Sequence, residues 1–86
     1  MAEQMGNPVG TSKTLTSSDD LDNITTSGIY PFYRERGIPT NVPSDVDRGS
    51  LIVFGNEYHP VQIVVGLTSV NVRISAAGNW FDWISL

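Results

Sequence analysis

Between Val70 and Ser75 apolar and polar residues alternate without a break, Val70, Val72 and Ile74 on one side and Asn71, Arg73 and Ser75 on the other. A period of two belongs to a strand whose successive side chains leave opposite faces of a sheet, and a helix does not accommodate it. The wider composition agrees. Valine and isoleucine total sixteen and the aromatics eight, against ten for leucine, alanine and methionine together. Such β-branched and aromatic side chains fit a pleated, half-buried surface. Eight glycines, five prolines and sixteen serines or threonines supply turns. The expected class is all-β, a small antiparallel sheet or sandwich of short strands.

Strands are expected over residues 50–55, 58–67 (with Pro60 inside), 70–75 and 80–86, separated by turn signals at Asn56-Glu57 and Ala76-Ala77-Gly78-Asn79. That spacing gives a meander of antiparallel neighbours. Upstream, Ile29-Tyr30 opens a further strand that Pro31 keeps short or at a sheet edge. Ser17 to Asn23 sets a hydroxyl before several acids, the pattern of one short helical turn. Arg34 to Gly49 holds Gly37, Pro39, Asn41, Pro43, Asp45 and Asp47 and reads as a long loop, the first place to look for a contact surface. Residues 1–17 form an extended or disordered lead-in, and residues 18–86 the domain.

The 86 residues include no cysteine and one histidine, with nine acidic and five basic side chains and a net charge of −4. Disulfides, a thiolate nucleophile and a Cys-type zinc site are thereby excluded. Five scattered cations (Lys13, Arg34, Arg36, Arg48, Arg73) give no footprint for nucleic acid. Apolar runs such as Leu51 to Phe54 fall far short of the roughly 20 residues that span a bilayer, and Met1 to Gln4 lacks the charged and apolar regions of a signal peptide. The reading therefore expects a soluble chain with no nucleic-acid partner and no membrane insertion. A domain this small buries a modest share of its surface, and without disulfide or metal the remaining supplement is oligomerisation.

Chemistry-bearing constellations are sparse. His59, between Tyr58 and Pro60, has no hydroxyl and carboxylate in a supporting motif. Asp45-Val46-Asp47 lacks the ladder and closing glutamate of a calcium loop. Gly28, Gly37 and Gly49 are too far apart for a phosphate cradle. No catalytic residue, metal or cofactor is expected. The most informative cluster is Trp80-Phe81-Asp82-Trp83. Three large aromatics within four residues place much apolar area at one spot. Trp80 and Trp83 are an odd number of positions apart, so a flat strand would send them to opposite faces. Either the backbone bulges there, or one indole meets the core and the other a subunit or ligand. Arg73 lies within reach of an indole across the last hairpin, in position for a cation–π contact. Core or subunit packing is the expectation for Arg73, Trp80 and Trp83, with a sugar-binding platform as the alternative.

The order of these segments has a parallel. Asp20-Leu21-Asp22-Asn23 with Thr25-Thr26-Ser27-Gly28-Ile29-Tyr30, the loop Ile38 to Pro43, Gly49 to Val53, Val61-Gln62-Ile63, Val72-Arg73 and Gly78 to Leu86 together resemble the small knob domain of phage tail fibres and contractile-tail bacteriocin fibres. The resemblance runs from about Asp19 to Leu86. It implies a β-rich module that assembles as a homotrimer on a fibre axis. It also implies a place in the virion among other tail or fibre proteins, and a part in attachment to a bacterial surface polysaccharide or protein rather than catalysis. Tyr33, Arg34, Arg36, Tyr58 and His59 fall outside the shared pattern and are the expected ligand contacts, since variable surface is where target choice would lie. The alternative is a structural virion component (decoration, baseplate or fibre-folding subunit) that never touches the host. A glycan-processing enzyme ranks last, for want of an acid/base pair.

Overall fold

Six strands form the sheet, and their order follows the sequence: β1 (Gly28–Tyr33), β2 (Arg48–Gly55), β3 (Pro60–Gly66), β4 (Val70–Ala76), β5 (Asn79–Trp80) and β6 (Ile84–Ser85). The computed structural model describes residues 12–86; the part of the lead-in before Ser12 lies outside them. Each of β1 to β4 pairs antiparallel with the next, and β4 then pairs with both β5 and β6. The class is all-β, a single antiparallel sheet, and among the described residues the only helical pieces are the 3₁₀ turns Leu21–Asn23 and Arg34–Arg36. Asp20 caps the first turn by accepting from the Asp22 N–H at 2.9 Å.

Two strand boundaries differ from the sequence reading. Tyr58 and His59 belong to the β2–β3 turn, because the Asn56 carboxamide oxygen captures both of their N–H groups at 2.8 Å before the ladder begins at Pro60. The segment 80–86 is two short strands rather than one. Trp80 pairs with Ser75 and Ile84 with Val72, so four steps on this side oppose three on β4. One extra residue is a bulge. It also answers the parity question, since it returns Trp83 to the face on which Trp80 and Arg73 lie.

Pro31 sits inside β1 without cost. Its carbonyl, which leaves the strand on the same side as its nitrogen, accepts from the Leu15 N–H at 2.8 Å, so the missing N–H was never part of the β1–β2 ladder. The described residues of the lead-in therefore run along the outer edge of β1, where Ser12 N also donates to Ile29 O at 2.6 Å. An exposed edge invites pairing with other chains, and this one is covered.

The sheet's two faces have opposite characters. On one, Tyr30, Phe32, Leu51, Val53 and Val64 pack with Leu15, Leu21 and Val46, and Ile24, Val42 and Trp83 close over them. The covering layer is irregular chain before β1 and between β1 and β2. Backbone bonds join its two parts, Leu21 N to Thr40 O and Thr40 N to Asp19 O. Toward β4 this covered face turns polar, with Gln62, Asn71, Arg73 and Ser75 all buried.

The other face is apolar. Register places Ile29, Ile52, Ile63, Val72 and Ile84 in one row across five strands, flanked by the row Phe54, Val61 and Ile74 and by Val65 opposite Val70. Phe54, Val65, Ile74 and Ile84 are 46 %, 40 %, 39 % and 61 % exposed. β4 thus buries its polar alternation and presents its apolar one.

Candidate functional site

The site is assembled around Arg73. Burial of a guanidinium is costly unless its charge and donors are met. In this chain four neighbours surround it, Gln62, Asp22 and the two indoles. Nε donates to Gln62 Oε1 at 2.9 Å, and Gln62, itself fully buried, donates through Nε2 to the carbonyls of Leu21 and Ile24 at 2.6 and 2.9 Å. Nη2 stands 2.9 Å from Asp22 Oδ1, an ion pair that meets the buried charge. Both indoles stack on the guanidinium, with Cζ 4.3 Å from the Trp80 ring centre and 4.5 Å from that of Trp83. Burial pushes the Arg73 pKa down from its ordinary value, and Asp22 opposes that shift.

The indole N–H groups fix the rings to the covering layer. Trp80 Nε1 donates to the Asp22 carbonyl and Trp83 Nε1 to the Asn41 carbonyl, each at 3.0 Å. Asn41 adopts a left-handed φ of 70° and donates from Nδ2 to Asp20 Oδ1 at 2.7 Å. That bond, followed by the one from the Asp22 N–H, holds the Asp20 carboxyl below the usual carboxylate range. Asp19 is lowered as well, first by the Thr16 N–H on its Oδ2 and then by Lys13 on its Oδ1.

Two depressions open on this surface. One, of about 450 Å³, has Asn23, Asn41, Asn79, Phe81 and Asp82 beside the stacked trio. The second, of about 410 Å³, is lined by Ser44, Asp45, Thr68, Ser69, Asn71 and Ser85. Trp83 lines both, and Val42 and Pro43, adjacent in the chain, line one each. The result is a groove with an aromatic ridge in the middle and carboxylates, carboxamides and hydroxyls along its walls. Among the described residues no group of three or more His, Asp or Glu side chains is placed to hold a metal ion.

The five residues expected as ligand contacts stand elsewhere, and not together. Tyr33 ends β1, half-exposed; the Arg36 guanidinium lies 6.0 Å from its ring centre, and Arg34 Nη1 is 3.5 Å from Asp47 Oδ2. Tyr58, 71 % exposed, and His59, whose Nδ1 is 3.4 Å from Ser75 O, occupy the β2–β3 turn. Tyr33 pairs with Arg48 at one end of β2, whereas the turn follows Gly55 at the other, roughly 23 Å away along an extended strand. The Arg73–indole contact was legible from spacing. Gln62, Asp22 and Asn41 were missed, although Gln62 lies in step with Pro60 and Val64, a signal of burial.

No protein-family model matches the chain, and no curated protein does. Among solved structures it is similar to a C-terminal fragment of the P. aeruginosa R1 pyocin fibre, with a TM-score of 0.77 and 26 % identity over 90 % of this chain. The likeness covers 21 % of that fragment, so this chain corresponds to about a fifth of it. The domain is tail-fibre-like, and a tail fibre is a structural, non-enzymatic kind of protein.

Proposed function

We propose that this chain is a structural and adhesive module of a phage tail fibre or tail spike, or of a contractile-tail bacteriocin fibre. It assembles as a homotrimer about the fibre axis, beside other tail or fibre proteins, and takes part in attachment to the bacterial surface. The observation that carries the reading is the apolar sheet face, and the pyocin-fibre likeness supports it. Five strands about 4.8 Å apart and some 20 Å long cover on the order of 400 Å² in projection. That is the size at which an exposed apolar patch marks an interaction site. Packing the row Ile29, Ile52, Ile63, Val72 and Ile84 against neighbouring copies removes it from water and adds the buried area that a small domain lacks.

Assembly on that face leaves the groove and both ends of the sheet facing solvent. Tyr33, Arg34 and Arg36 at one end and Tyr58 and His59 at the other are separate contact patches in this reading.

Size exclusion with light scattering tests it. A trimer is expected, and a monomer at micromolar concentration overturns the assembly. Ile63→Lys sets a charge in the middle of the apolar row and should dissociate the oligomer. Binding of the labelled oligomer to host cells tests adhesion, and its absence at high concentration leaves a spacer role in the fibre.

A further inference from the structure

We propose that the groove crossing Trp83 is a carbohydrate site, and that it takes a neutral oligosaccharide segment longer than one ring. This rests on the fibre-module reading, because it gives the adhesive module a ligand site besides its two end patches. Sugars offer vicinal hydroxyls and an apolar ring face, and the groove answers both. Asn23 and Asn41 can donate and accept, Asp82 accepts, and Ser44, Thr68 and Ser69 do either. Phe81, 58 % exposed, and the two indoles supply aromatic surface.

The platform is rigid before any ligand arrives. Both indole N–H groups are bonded to backbone carbonyls, and Arg73 fills the space between the rings. Little rotamer freedom is left to lose on binding. Two adjoining depressions, each of ordinary ligand-pocket size, suit an extended chain draped over Trp83 better than a compact molecule.

Charge selects within the class. Asp22, Asp45 and Asp82 face the groove, whereas Arg73, the cation in its lining, is buried and paired with Asp22. An acidic polysaccharide meets repulsion there and a neutral one does not. The groove lies on the covered side of the sheet, opposite the apolar rows, so self-assembly on those rows leaves it open.

The chain has two tryptophans, and both belong to this site. Their emission and their two indole N–H resonances report on it alone. The full chain would be titrated with maltohexaose, isomaltohexaose, mannohexaose, a galactan hexasaccharide and chitohexaose, with hexagalacturonate as the acidic comparison. A saturable change with at least one neutral probe is expected. Asn23→Ala and Asp82→Ala, both at exposed positions, should weaken it roughly tenfold, while Glu57→Ala, in the β2–β3 turn, leaves it unchanged. The proposal is overturned if no neutral probe shifts either signal up to about 10 mM, if hexagalacturonate binds best, or if the Asn23 and Asp82 variants bind like wild type. Light scattering on the same samples separates the two readings. An intact trimer that ignores every sugar sinks the carbohydrate site alone, and a monomer that binds sugar sinks the assembly alone.

Discussion

Gln62 and Arg73 are register partners on β3 and β4, and one hydrogen bond of 2.9 Å between their buried side chains joins the sheet to its covering layer. Gln62 spends its two donors on the Leu21 and Ile24 carbonyls and its acceptor on Arg73. Gln62→Leu keeps the volume and removes all three partners. The Leu21 carbonyl keeps the Ile24 N–H, whereas the Ile24 carbonyl and Arg73 Nε are left buried without a partner, each at a cost of about 1–3 kcal/mol. A loss of at least about 2 kcal/mol is expected, a large part of the stability of a small domain. Urea denaturation followed by circular dichroism measures it. A loss below about 1 kcal/mol would mean that water replaces these partners readily and that the clip is unimportant.

Arg73→Lys keeps the positive charge but not the planar group between the indoles. A lysine ammonium cannot stack on both rings while reaching Gln62 and Asp22. The expected cost is about 1–3 kcal/mol, with tryptophan emission moved to longer wavelength as water enters the gap. Wild-type emission together with wild-type stability would show that charge alone suffices.

Acid should weaken the covering layer. Asp19 and Asp20 are both depressed in the folded chain. Groups of this kind contribute stability that is present above the unfolded carboxylate value, about 3.9, and is lost as pH falls through the lower folded value. Unfolding free energy should hold from neutral pH to about 4.5 and decline below it. Asp20→Asn retains an acceptor for Asn41 and for the Asp22 N–H while removing the charge. It should lower stability at pH 7 and make the acid decline shallower. An unchanged acid limb in the variant would remove Asp20 from the explanation.

The parts of the fold that depend on local pattern were legible. Strict alternation around Val72 and turn residues at short spacing gave β2 to β4 and their antiparallel order. The bulge was not legible as a position, because it is a difference in step count between two strands, and either strand alone shows no defect. Leu15 looked like part of a featureless lead-in, since its burial comes from the β1 edge, which the sequence reaches only later. At the site the indoles and Arg73 announced themselves by size and spacing. Their anchors could not, because the contacts on Trp80 and Trp83 are backbone carbonyls of Asp22 and Asn41, and a carbonyl has no residue type. The same limit explains β4, whose alternation fixes two faces but not which is covered. Burying the polar one requires Gln62, Asp22 and the indoles to arrive together.

The β4–β5 hairpin offers a way to stabilise the groove wall without touching it. Ala76 pairs with Asn79, leaving Ala77 and Gly78 as a two-residue turn with φ of 55° and 81°. Two left-handed residues in succession make the type I′ turn that suits the twist of a hairpin. Glycine takes that conformation freely, whereas alanine's Cβ crowds its own carbonyl at a cost of roughly 1–2 kcal/mol. Asparagine tolerates the region better and forms with Gly78 the pair that this turn prefers. Ala77→Asn should therefore gain about 0.5–1 kcal/mol and raise Tm by about 2–8 °C. Ala77→Gly relieves the same strain but loosens the unfolded chain, so its gain should be smaller. Thermal melts of the three proteins test the ranking, and an Asn variant melting below wild type would show that the turn's strain is not what limits this hairpin.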